Sequence, residues 1–74
     1  MSQFIDRKEQ IENNFTYHPP KPGQLERYEA IRAKFKELAL FIIDNTPYSR
    51  EQSLALTELE KASFFANAAI ARNE

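Results

Sequence analysis

The sequence predicts an all-α protein: a short N-terminal helix, a proline-rich linker and an antiparallel αα-hairpin. Three observations predict it. Leu25, Tyr28, Ile31, Phe35, Leu38 and Ile42 recur at the three- and four-residue spacing of one helix face. Leu56, Leu59, Ser63, Ala66 and Ile70 trace a second such stripe. Only a few residues around Asn45-Thr46-Pro47 separate the two, and a connection that short makes the helices antiparallel neighbours.

The N-terminal helix is expected within residues 1–13, from about Gln3 to Asn13. Phe4, Ile5 and Ile11 are its apolar residues, so it offers a narrow stripe. A helix that short is marginal in water. It must dock on its own hairpin or on a second copy.

Residues 14–22 form the linker, with three of the four prolines and the only glycine, Gly23, just after it. Pro19-Pro20 holds the preceding backbone extended, because proline fixes its own φ and disfavours the α region for its predecessor. Pro22 suits the first turn of a helix, where its missing N–H costs nothing.

The second helix is expected over 23–46. Ala39, Leu40, Phe41 and Ile43 make its C-terminal third apolar on more than one face. A hairpin alone needs one stripe, so this breadth predicts burial from two sides. Arg27, Lys34, Glu37, Arg32 and Lys36 occupy the other face. The residue before Pro47 is biased away from helical backbone, which ends the helix.

The third helix is expected over 49–73. Ser49-Arg50-Glu51-Gln52 reads as a capping box with Ser49 as the cap and Gln52 reaching back; Tyr48 is placed to act as a hydrophobic staple. Leu54, Ala62, Phe65 and Ala69 widen its stripe, and Phe64 lies away from it.

Seventy-four residues make one domain, spanning 1–74, with a single marginal core. Small domains compensate with disulfides, metals or oligomerisation. The chain has no Cys and one His, so neither a disulfide nor a metal site is expected, and oligomerisation remains. A net charge of −1 and a pI near 5.8 argue against a DNA or RNA coat. They leave room for a small anion held by a few cations. No membrane-spanning run or signal-peptide core is present, so a soluble cytoplasmic protein is expected. There is no Cys nucleophile, no Gly-rich phosphate loop and no elbow motif around a Ser. The carboxylates sit among Lys and Arg at helical spacing, as solvated faces do. The chain reads as a non-enzyme without cofactor or metal.

Two groups of residues could bind an anion. The first is Tyr17, His18 and Lys21 in the linker with Arg32 on the next helix. An aromatic face can stack a planar ring, and a guanidinium can make two parallel bonds to phosphate oxygens. The alternative is that Phe15 and Tyr17 plug a small core and Arg32 pairs with Glu29 or Glu37. The second group is Asn67, Arg72 and Asn73; the helix dipole alone also explains a cation at Arg72.

Four blocks, in this order, carry a resemblance: Phe15-Thr16-Tyr17-His18-Pro19-Pro20-Lys21; Glu26-Arg27-Tyr28-Glu29-Ala30-Ile31-Arg32; Ser49-Arg50-Glu51-Gln52-Ser53-Leu54-Ala55-Leu56-Thr57; and Ala66-Asn67-Ala68-Ala69-Ile70-Ala71-Arg72-Asn73-Glu74. Over roughly residues 13–74 the chain resembles the helical-hairpin domain of phage immune-evasion sponges. These are the second anti-CBASS protein family and the hairpin part of the first anti-Thoeris protein family.

The resemblance implies a protein that sequesters cyclic oligonucleotide second messengers of bacterial defence, such as cyclic GMP-AMP or cyclic tri-AMP, without cleaving them. It implies a helical homo-oligomer, a hexamer, acting in the cytoplasm of the infected host. Cyclic dinucleotides would sit between paired subunits and cyclic trinucleotides where three subunits meet. By position, Tyr17 is similar to the family's base-stacking aromatic and Arg32 to its dinucleotide phosphate cation. Arg72 is similar to its trinucleotide cation. His18, Lys21, Arg50 and Ser53 are added for the dinucleotide, and Asn67 for the trinucleotide. The anti-Thoeris proteins carry a further region that this chain is too short to contain, which disfavours ADP-ribose messengers. The competing expectation is a protein-interaction hairpin that exposes Phe64, Phe41 or Leu40 and binds no nucleotide; a small nucleic-acid binder is a second rival, against which the acidic pI counts.

Overall fold

A computed structural model describes residues 6–74. Among them the chain is all-helical: α1 (Arg7–Asn14), α2 (Gln24–Asn45) and α3 (Arg50–Asn73). Gln3, the expected start of the helix, and the apolar Phe4 and Ile5 lie outside the described residues. Within them α1 starts later than expected, because Asp6 caps it: the Asp6 carboxylate accepts from the Lys8 N–H at 3.3 Å. None of its residues is buried.

The linker ends differently from expectation. Pro22 does not enter the first turn of α2. Lys21-Pro22-Gly23-Gln24 is a type II turn, closed by Gln24 N–H to the Lys21 carbonyl at 3.0 Å. Gly23 takes φ 85° and ψ −13°, a left-handed conformation that glycine tolerates and that position three of this turn demands. Proline favours position two of the same turn, so the Pro-Gly pair encodes a turn before the helix.

At its other end α2 stops as its sequence dictates. Thr46 is extended ahead of Pro47. Asn45 Nδ2 donates to the Phe41 carbonyl at 2.8 Å and Thr46 Oγ1 to the Ile42 carbonyl at 2.7 Å, satisfying two carbonyls of the last turn. Ser49 caps α3, its Oγ accepting from Gln52 N–H at 3.1 Å. Gln52 departs from the reciprocal capping box. It is buried, and its Nε2 donates across the turn to the Thr46 carbonyl at 3.1 Å and to Thr46 Oγ1 at 3.0 Å. The short connection brings the Thr46 carbonyl, just past the end of α2, within reach of the Gln52 amide. Tyr48 is 94% exposed and staples nothing.

Helices α2 and α3 pack as the antiparallel pair. Tyr28, Ile31, Phe35, Ala39 and Ile42 turn toward Leu56, Leu59, Ser63, Ala66 and Ile70, all at least partly covered. Leu25 and Leu38, counted in the expected stripe, are exposed instead. Ala39, a four-residue step from Phe35, stays closer to its face than Leu38 does. Leu54, Phe65, Ala62 and Ala69 are likewise exposed rather than part of the packed stripe.

Among the described residues, only Ile70 is a buried hydrophobic. The accessible surface of 6420 Å² exceeds the roughly 4700 Å² of a compact monomer of this mass. The radius of gyration, 15.8 Å, exceeds the roughly 11 Å of a compact chain of this length. Phe41, Phe64, Phe65, Leu40 and Ile43 face outward. Each such side chain forgoes about 1.5–3 kcal/mol of burial in the single chain. The excess apolar surface read from the sequence is therefore present in the fold. Among the described residues no helix is long and apolar enough to cross a membrane.

Candidate ligand-binding grooves beside the proline-rich linker

Asn13 Nδ2 donates to the Arg72 carbonyl at 3.0 Å, so the end of α1 sits on the end of α3. His18 Nε2 lies 2.8 Å from the Asn13 carbonyl. A carbonyl only accepts, so Nε2 is the donor in this contact. From this tether Pro19 and Pro20 carry the linker as a stiff strap toward α2.

The strap, α2 and α3 enclose an open groove of about 550 Å³. Tyr17 and His18 line it from the strap, Tyr28, Glu29 and Arg32 from α2, and Asn67 from α3. Ala68 and Ala71 leave its floor open. Tyr17 is 80% exposed and Phe15 more so, which overturns the alternative that these rings plug a core. Among the described residues no carboxylate lies within ion-pairing distance of Arg32, so pairing with Glu29 or Glu37 is not formed. An aromatic face and an uncommitted guanidinium thus open into one cleft.

A second groove of about 570 Å³ runs between α2 and α3 toward the hairpin turn. Arg32 and Asn67 line both grooves and form the wall between them. Lys36 and Phe64 join the second one. The Asn67 Oδ1 is buried with no hydrogen-bond partner among the described residues. An unpaired buried acceptor costs about 1–3 kcal/mol.

The other candidates fall elsewhere. Lys21 does not line the groove; its Nζ donates to the Glu74 carbonyl. Arg50 and Ser53 sit at the start of α3, roughly 20–25 Å along its axis from Asn67. Arg50 is exposed, 3.9 Å from Glu51. Arg72 lines a separate recess of about 200 Å³ with Phe65 and Asn73. Five residues rotate a helix by about 140° beyond a full turn, so Asn67 and Arg72 open to different sides within one chain.

Sequence reasoning did not put Tyr28, Glu29 and Lys36 at the grooves. Their signal was available: Tyr28 and Lys36 lie one turn to either side of Arg32, and Glu29 three residues before it.

Below the strap, Arg27 and Glu74 form a two-pronged ion pair, with Nη1 to Oε2 at 3.0 Å and a second bond from Nη2 to Oε1. The Arg27 hydrogen bond holds the Glu74 carboxyl below the usual carboxylate range, and Glu74 in turn raises Arg27.

A family model described as Acb2/Tad1, hairpin domain, matches residues 7–71. No curated protein and no solved structure matches the chain.

Proposed function

The chain belongs to the Acb2/Tad1 hairpin family, and we propose that it is a sponge of phage immune evasion, sequestering cyclic di- and trinucleotide messengers of host defence without cleaving them. The observation that carries the reading is the pairing of Tyr17 and Arg32 across one open groove, with no carboxylate partner for the guanidinium among the described residues. Tyr17 stacks a purine, worth about 1–3 kcal/mol per base. Arg32 forms charge-assisted bonds to a phosphate, about twice as strong as neutral ones. His18 faces the same ligand, and so does Asn67, the residue expected to serve a trinucleotide with Arg72. Arg72 serves a cyclic trinucleotide in its own recess.

The functional form is a closed homo-oligomer, a hexamer. Its support is the single chain's lack of an enclosed core and the outward Phe41, Phe64 and Phe65. A second copy covers these side chains and closes grooves that are open in one chain. Arg50 and Ser53, which lie outside the Tyr17 groove, reach the ligand from a neighbouring copy, whereas Lys21 is held by the Glu74 carbonyl of its own chain. A preformed closed pocket avoids much of the ordering cost of binding. The site of action is the cytoplasm of the infected bacterial host, and the net charge of −1 disfavours DNA or RNA as ligand.

Calorimetric titration with cyclic GMP-AMP and with cyclic tri-AMP tests the reading, followed by recovery of each ligand after heat denaturation. Tight binding with intact ligand released supports a sponge. Cleaved ligand means an active site, and absence of heat with both ligands rejects the reading. The same outward phenylalanines favour one competing reading, a protein-interaction hairpin. A monomer in solution that binds no nucleotide is its signature.

A further inference from the structure

The strap is tied to the C-terminal end of α3 on both sides of Tyr17 and His18. On one side stand the Asn13 bond to the Arg72 carbonyl and the His18 bond to Asn13. On the other, three side chains converge on Glu74. Lys21 Nζ donates to its carbonyl, Gln24 Nε2 to its Oε1 at 3.3 Å, and Arg27 grips both carboxylate oxygens. Gln24 is only 4% exposed, and its Oε1 accepts from the Lys21 N–H at 2.9 Å. Both ends of a buried carboxamide are therefore bonded, one to the type II turn and one to Glu74.

Neither Gln24 nor Glu74 lines the Tyr17 groove, and Glu74 lies beyond the residues that match the family. The groove reading leaves this cluster without a role. We propose that Glu74 is a positioning residue: through Gln24, Arg27 and Lys21 it locks the Lys21–Gln24 turn and so holds the strap that presents Tyr17 and His18 to the ligand. The proposal rests on the reading of that groove as the ligand site.

Stiffness is what transmits the effect. Two of the residues between the turn and Tyr17 are Pro19 and Pro20, and proline-rich segments keep their direction over several residues. A displaced turn therefore moves Tyr17 instead of being absorbed by the linker. Releasing the turn leaves the groove residues in place chemically but adds an ordering cost to each binding event.

The test compares the full chain with Glu74→Gln and Glu74→Ala, using amide hydrogen exchange at Lys21 and Gln24 and titration with cyclic GMP-AMP. Faster exchange at these two amides is expected, with affinity weakened about 2- to 10-fold and helical content unchanged. The pair Arg27→Glu with Glu74→Arg restores the ion pair in reverse and should recover part of both losses. Unchanged exchange overturns the proposal. So does weaker binding with unchanged exchange, because Glu74 would then act otherwise than through the turn. A parent protein that binds no cyclic nucleotide rejects the ligand reading, while the exchange measurement still decides whether Glu74 holds the turn.

Discussion

The Asn13 side-chain amide donates to the Arg72 carbonyl at 3.0 Å, joining residues 59 positions apart. That carbonyl belongs to the last turn of α3, where no helical N–H is available to it. One bond thus satisfies an orphan acceptor and places the start of the strap. Asn13→Ala should cost about 0.5–1.5 kcal/mol, read as a shift in the denaturation midpoint of the assembled protein. It should also weaken ligand binding, since His18 is hung from the Asn13 backbone.

Tyr17 is exposed, so its removal separates binding from folding. Tyr17→Ala should leave the melting temperature within a degree or so and lose cyclic dinucleotide affinity by about 1–3 kcal/mol or more. Calorimetry and thermal unfolding of the same sample check both halves, and unchanged affinity refutes the stacking role.

Arg72 and Arg32 line different recesses. Arg72→Ala should weaken cyclic tri-AMP and spare cyclic GMP-AMP. Equal loss of both, measured by competition, contradicts separate sites.

Arg27 depresses the Glu74 pKa below its unfolded value. The pair therefore stabilises the fold above the ordinary carboxylate range, and this contribution fades as pH falls through the lowered pKa. The pair is exposed and screened by solvent, so the effect is small. Thermal unfolding of the parent should show this acid-side loss, and Glu74→Gln should flatten it. Parallel profiles would mean that the pair adds nothing.

Phe64 faces outward beside the second groove. If a second copy covers it, Phe64→Asp should shift the mass in solution from oligomer to smaller species. Losing the buried ring would cost about 1.5–3 kcal/mol per site. An unchanged mass removes Phe64 from the interface.

The hairpin was legible in the chain because its signals are local. Stripe spacing, the Thr46-Pro47 stop and the Ser49 cap each act within a turn or two. The details that failed depend on what lies across the chain. Gln52 bonds Thr46 rather than its own cap, Tyr48 finds no partner, and Leu38 yields its inward place to Ala39. Pro22-Gly23 was misassigned because the dipeptide suits both a first helical turn and a type II turn. Hydrogen bonding of Gln24 favours the latter.

By itself, the sequence determined three helical elements, their antiparallel order, a stiff strap carrying Tyr17, and more apolar surface than one chain can hide. Tertiary structure alone decided which polar groups meet. It set Arg32 beside Tyr17 and Asn67, turned Arg72 to another side, and gathered Lys21, Gln24 and Arg27 on Glu74. Helix periodicity fixes the direction of a side chain about its own axis. The rotation and offset of one helix against another arise from packing over the whole interface, and those two quantities determine which distant residues share a groove.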